Sequence, residues 1–314
     1  MKTIMQKQFL PFVLIVLLVC PLFSGCSQVP ENAVTPPFFK VTDAETGGCV
    51  YILGTMHTGL ANTVYPGSVM NAFSECDTLA VEVDLVALDS DSRQLNDAMA
   101  LLKCPDKSTK EMLGGDYERV RDFFKQKRLY NTLYEEYIPV VWSSAISNKL
   151  ADECGYSSQY GTDRYFTALA KQQNKAVYEI ESVYEQYQMN ADEPESIQTY
   201  MLLSAVDTDW ETQKAEIVRL YSAWSSGDIA ALEAALNEEE IPQELAADYE
   251  TFYYAMYENR QRKMADYIKA ELERGDKTFV AVGALHLAAY PDVIDLLENS
   301  GYIVTELNNS QFAY

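Results

Sequence analysis

The chain has 314 residues, 48% hydrophobic and 12% aromatic, with 22 tyrosines and a formal charge of −23; its isoelectric point is near 4.4. Such a composition belongs to a packed globular protein, and its acidity disfavours nucleic acid and anionic membrane surfaces as partners, since both would repel it. The length admits one large domain or two small ones.

Residues 1–25 read as a secretory signal. Lys2 and Lys7 precede an apolar run from Phe9 to Phe23, and small residues lead to Cys26. Pro11, Pro21 and the short apolar run argue against a permanent membrane span, which needs about 20 apolar residues. Leu22-Phe23-Ser24-Gly25-Cys26 resembles a bacterial lipoprotein box, with Cys26 the lipidated residue and Phe23 where Leu is usual. The expected location is therefore the outer face of the bacterial cytoplasmic membrane, held by a lipid anchor, or free secretion. Residues 26–36 are expected to form a flexible tether and 37–314 a single domain, with no internal linker. Cys49, Cys76, Cys104 and Cys154 remain in this disulfide-permissive setting. Their spacing lacks a CxxC pair, which leaves one or two structural disulfides, or buried free thiols.

The domain opens with a hairpin over 37–54, turning through Glu45-Thr46-Gly47-Gly48. A turn at Tyr65-Pro66-Gly67 leads to a helix carrying Val69, Phe73 and Cys76 at helical spacing, then to a buried strand in TLAVEVDL. Residues 89–265 are mostly helical, apart from a short strand at Ala176–Ile180 that follows the helix of GTDRYFTALAKQQ. The end repeats the opening: strand Thr278–Val282, helix PDVIDLLENSG with Asn299-Ser300-Gly301 as its stop, and a last strand, YIVTEL. The pattern predicts an α/β fold of two related halves, each strand, Gly-x-x-His, helix, strand, separated by a long helical insertion.

The chain has two histidines, His57 and His286, and each stands three residues after a glycine, Gly54 and Gly283, just beyond a predicted strand. Loops at the carboxyl ends of strands form the ligand crevice of α/β units. Glycine permits unusual torsions and close approaches, so it can start the turn that aims the imidazole. Neutral imidazole is a common metal ligand and a ready general base. Two histidines do not complete a catalytic metal site, which usually has three protein ligands. Glu82, inside an apolar run, is costly to bury unpaired and is expected to face a cation or the site. Asp84, two residues on along an expected strand, is its rival. Glu179 and Glu181 repeat the pattern at the mid-chain strand. Arg260 is either a surface cation or a guanidinium steadying an oxyanion or a carboxylate.

These stretches, YILGTMHTGL with YPGSVMNAFSECDTLAVEVDL and FVAVGALHLAAYPDVIDLLENSGYIVTEL, resemble the TraB/GumN (PrgY, Tiki) family, whose hallmark is two Gly-x-x-His motifs at opposite ends of the domain. Gly161-Thr162-Asp163 is similar to its Gly-x-Asp before a helix, Ile180-Glu181 through Gln186 to its Leu-Glu…Gln segment, and Arg260 to Met264 to its Arg-Asn segment. Gln261 stands where Asn is usual, and Leu287-Ala288-Ala289-Tyr290 replaces a glycine-containing loop. The resemblance implies an erythromycin-esterase/ChaN-like core. It implies an activity like that of the Tiki members, which look like peptide-directed metalloproteases favouring Mn2+ or Co2+, with Zn2+ left open; the PrgY member limits a peptide pheromone. The expected function is a membrane-tethered divalent-metal hydrolase for a peptide or small molecule. His57, Glu82 and His286 would hold the ion, Glu181 or Asp84 would take a proton, and Arg260 would steady charge. The alternatives are a non-catalytic lipoprotein that sequesters its ligand, and a metal-free hydrolase with histidine as general base.

Overall fold

The apolar runs CVYIL, TLAV and FVAV lack the polar alternation of a sheet with one wet face, and the structure buries them on both faces. The structure, a computed structural model, describes residues 32–104, 107–236 and 241–307. Six strands, β1 (Phe38–Thr42), β2 (Cys49–Thr55), β3 (Thr78–Val81), β4 (Ala176–Glu179), β5 (Lys277–Gly283) and β6 (Ile303–Glu306), form one sheet in the order β4-β3-β5-β2-β1-β6. β1 runs antiparallel to both neighbours, and the pairs β2–β5, β3–β5 and β3–β4 are parallel.

Alternation sorts each strand's side chains onto two faces. Tyr51, Leu53, Leu79, Phe279 and Ala281 pack against Val69 and Phe73 of the helix Gly67–Glu75 and Phe166 of the helix Thr162–Gln172. Val50, Ile52, Val280 and Val282 meet Met264, Ile268 and Leu272 of the helix Asn259–Arg274, and Val293 and Leu297 near the end of the chain. The two halves interleave. From β2 the chain crosses one face, stepping over β5 to reach β3; from β5 it crosses the other face, stepping over β2 and β1 to reach β6. The two motif-bearing strands thus lie side by side, in parallel, with Thr55 opposite Gly283.

The helical middle has its own core, built on Tyr117, Phe124, Trp142, Ile146 and Leu202. Its long C-terminal helical stretch is divided. A helix at Ala246–Tyr253 passes through a five-residue π-helical segment, Tyr254–Glu258, into Asn259–Arg274.

Three expectations change. The segment read as strand through Asp84 leaves the sheet after Val81, because the backbone bends at Glu82 and Val83. Residues 32–36 of the expected tether are fixed to the domain: Val34 is buried, its N–H donates to the Val64 carbonyl at 3.0 Å, and the Thr35 N–H donates to Ser225 at 2.7 Å. Residues 1–31, which include the expected signal and Cys26, lie outside the described residues. Of the open cysteine alternatives the structure has free thiols, with Cys49 and Cys76 buried.

Gly54 is part of β2 and does not form the turn after it. A Cβ there would sit 3.1 Å from Leu287 Cδ1, 3.2 Å from Ala284 Cβ and 3.2 Å from Pro37 Cβ. The absent side chain lets β2 meet the 3-10 turn Ala284–Leu287, which carries His286. Crowding from three sides predicts that Gly54→Ala lowers unfolding stability by about 1–3 kcal/mol in guanidinium titration. Unchanged stability would contradict this packing.

Candidate active site

Four parallel strands, β4, β3, β5 and β2, each deliver one residue beyond the carboxyl end: Glu181, Glu82, His286 and His57. The sheet order therefore converts residues separated by up to 229 positions into neighbours. Ladder hydrogen bonds continue past the strands, with Ile180 N–H donating to Val81 at 2.8 Å and Glu181 N–H to Glu82 at 2.9 Å, which sets the two carboxylates side by side.

Arg260 joins them. Its Nη2 donates to Glu82 Oε2 at 2.6 Å and to Glu181 Oε2 at 2.8 Å, while Nε donates to Glu181 Oε1 at 2.8 Å. This forked pairing uses the planar guanidinium geometry that lysine lacks. Gln186 Nε2 donates to Glu181 Oε2 at 2.8 Å and Glu82 Oε2 at 3.1 Å. The remaining Glu82 oxygen accepts the Gly283 N–H at 2.6 Å. Glu82 and Glu181 are 5% and 6% exposed, so these bonds replace the water they lost. Burial opposes ionisation of Glu82, but His286, Arg260, His57 and the Gly283 N–H outweigh it and hold its carboxyl at about 2. At neutral pH burial leaves His286 uncharged, so Arg260 and His57 are the cations of this group that act on Glu82.

The two histidines have opposite settings. His57 Nδ1 lies 2.8 Å from Asp163 Oδ2, and the other Asp163 oxygen accepts the Thr55 hydroxyl at 2.6 Å. Asp163 pulls the His57 imidazole up to about 9, against burial among its neighbours. The side chain is 65% exposed, so solvent screens part of that pull. His286 is 4% exposed, and burial pushes it down to about 4. Its Nε2 is 3.9 Å from Glu82 Oε1, its Nδ1 has no hydrogen-bond partner among the described residues, and the Tyr257 ring, from the π-helical segment, lies 6.0 Å away. Gly283 sits between the two: a Cβ there would be 3.1 Å from Glu82 Oε1, 3.6 Å from His286 Cδ2 and 4.0 Å from His57 Nε2.

Asp84 does not join this group. Its carboxylate caps the helix Leu85–Ser90 through the Ala87 N–H at 2.8 Å and pairs with Lys171 at 2.7 Å. Glu179 is exposed and accepts the Asp84 N–H at 2.8 Å. Asp163 is the site residue that chain-order reasoning did not single out. Gly161-Thr162-Asp163 was its signal: a Cβ on Gly161 would lie 2.5 Å from the His57 carbonyl oxygen, and Thr162 N–H donates to Met56 at 2.9 Å. That close backbone approach puts the helix's first-turn acid under the imidazole.

The donor types suit a divalent cation. The Asp163 bond leaves His57 Nε2 free, as carboxylate-oriented metal-ligating histidines do, and Gly283 leaves room beside it. As the side chains stand, no three His, Cys, Asp or Glu groups among the described residues are spaced to hold an ion together, so ligation requires a side-chain adjustment. Two clefts flank the network. One, of about 360 Å3, is lined by His57, Glu82, Asp163 and Tyr187; the other, of about 400 Å3, by Glu181, Met256 and Arg260. Gln186 lines both, so the charged network is the wall between them.

The TraB/PrgY/gumN family pattern matches residues 37–306, which spans all six strands and every residue of this cluster. The chain belongs to the TraB/PrgY/gumN family. It is also similar to the uncharacterized protein YbaP of Escherichia coli (strain K12), at 25% identity over 240 residues, covering 76% of this chain and 83% of that one. YbaP of Shigella flexneri matches with the same figures. No solved structure matches the chain.

Within this TraB/PrgY/gumN chain, the two sequence departures meet. Gln261, fully buried, donates through Nε2 to the Ala289 carbonyl at 2.9 Å. The longer amide thus ties the helix bearing Arg260 to the altered loop after His286.

With only two histidines, imidazole proton resonances separate the two settings directly. In metal-free protein one ring titrates near pH 9 and the other near pH 4, and Asp163→Asn lowers the first below about 7, toward the ordinary histidine value. Unfolded histidine takes its proton near 6.5, so buried His286 makes folding stability fall as pH drops from 6.5 toward 4, whereas His57 loses its stabilising charge as pH rises through 9. Two rings titrating together near 6.5 would contradict the assignment.

Proposed function

We propose that this protein is a divalent-metal-dependent hydrolase, acting on peptide substrates from the outer face of the cytoplasmic membrane. The observation that carries the reading is His57 held by Asp163 with its Nε2 left beside Gly283, Glu82 and His286. His57, Glu82 and His286 hold the cation, for which Mn2+ or Co2+ is the first choice. When bound, the ion supplies Lewis acidity and lowers the pKa of water in the cleft.

The protein's own groups do the rest. Arg260 keeps Glu82 ionised and aimed, and the Gly283 N–H fixes one of its oxygens. Glu181, which lines the neighbouring cleft and shares Arg260 and Gln186 with Glu82, would take the released proton through that network, since Asp84 is committed to its helix cap and Lys171. His57, oriented by Asp163, favours a second reading: hydrolysis without a metal, in which its Nε2 moves the proton. The two readings part on metal content.

Elemental analysis of purified protein is expected to give close to one divalent ion per chain, with peptide turnover that a chelator stops. His57→Ala and His286→Ala each lose the ion with far-UV circular dichroism unchanged, and Asp163→Asn weakens its binding by about 10–100-fold. Turnover in metal-free protein would establish the second reading. Stoichiometric peptide binding with no product would make the protein a sequestering one. The membrane placement rests on residues 1–26, and Cys26→Ala is expected to shift the chain from the membrane fraction to the soluble one; retention on the membrane would overturn the anchor.

A further inference from the structure

The second cleft has a feature that the proposed chemistry leaves unused. Glu193 lines it at 9% exposure, and its Oε1 has no hydrogen-bond partner among the described residues. The residue is firmly placed: its backbone carbonyl accepts Gln198 Nε2 at 2.8 Å. Burial pushes its carboxyl up to about 7, the response of an acid without a cation. Both bases of the cleft are engaged elsewhere, Lys263 with Glu185 at 2.7 Å and Arg260 with Glu82 and Glu181.

Two further observations point to a positive guest. Glu193 is the C-cap of the ten-residue helix Val183–Asp192, whose last turn holds Asp192 and no basic residue. The negative end of a helix favours cations, and here it meets two acids. Glu181, Glu185, Asp192 and Glu193 together outnumber Arg260 and Lys263 around the cleft. Met189, Phe252, Ala255 and Met256 give the wall an apolar stretch beside the uncharged polar Gln188, Thr251 and Asn259. A bare metal ion would want several oxygens, whereas this wall suits an alkyl stem that ends in a charged head.

We propose that the cleft lined by Glu193 is a subsite for an alkylammonium group of the substrate, either a lysine side chain or a peptide amino terminus, with Glu193 as its carboxylate partner. Its position behind the Gln186 wall separates it from His57, so the amine is held away from the bond that is cut. The inference rests on the hydrolase reading only in calling the bound molecule a substrate.

Isothermal calorimetry of the purified full chain tests it with three tripeptides: one blocked at both ends with a central lysine, its blocked norleucine counterpart, and the norleucine peptide with a free amino terminus. At least one amine-bearing peptide is expected to bind about tenfold more tightly than blocked norleucine, and which one does so identifies the source of the amine. Glu193→Gln, with circular dichroism confirming its fold, abolishes that advantage. Equal binding of all three peptides, or an advantage that survives in Glu193→Gln, overturns the proposal. Calorimetry reads binding alone, so an amine preference without turnover would sink the hydrolase reading and leave the subsite standing.

Discussion

The arrangement depends on one guanidinium. β3 and β4 are adjacent and parallel, and each is followed by a buried glutamate, Glu82 and Glu181; without compensation the two carboxylates would repel each other. Arg260 bonds both, reaching in from the helix that follows the π-helical segment. Breaking a buried ion pair by removing one partner costs about 3–5 kcal/mol, although such groups add little net stability over apolar packing. What the triad contributes is placement: Glu82 toward His57 and His286, Glu181 toward the neighbouring cleft.

The same Gly-x-x-His spacing yields opposite chemistry at the two histidines. His57 has a carboxylate at hydrogen-bond distance and opens to solvent; His286 is enclosed, with Glu82 at 3.9 Å and an aromatic ring nearby. One imidazole therefore holds its proton at neutral pH and the other does not. On the proposed reading, His57 would have to give up its proton to hold a cation, so metal retention would strengthen as pH rises.

Much of this was legible from residue order. The strand-then-Gly-x-x-His units, the burial of Glu82 within an apolar run and the turn to a helical middle are local patterns, and the sheet brings His57, Glu82, Glu181 and His286 together, with Arg260 reaching in from its helix. What failed were inferences that extended a local rule. Asp84 followed from two-residue alternation, which ends where the backbone leaves the sheet after Val81. Gly54 was read as starting a turn, whereas it stays in β2 and is small because Ala284 and Leu287 press on it from a distant segment. Asp163 enters the sequence reading only within the Gly-x-Asp resemblance and without a role, since its partner His57 lies 106 residues away. The interleaving of the two halves and the edge position of β6 likewise rest on tertiary packing that no short window carries.

On the proposed reading, histidines from opposite ends of the chain form one cation site. Anomalous diffraction from crystals grown with Mn2+ tests it most directly. The account predicts a single strong peak bonded to His57 Nε2 and a His286 ring nitrogen, with Glu82 as a further ligand. A peak that touches only one histidine, or density confined to surface carboxylates, would contradict it.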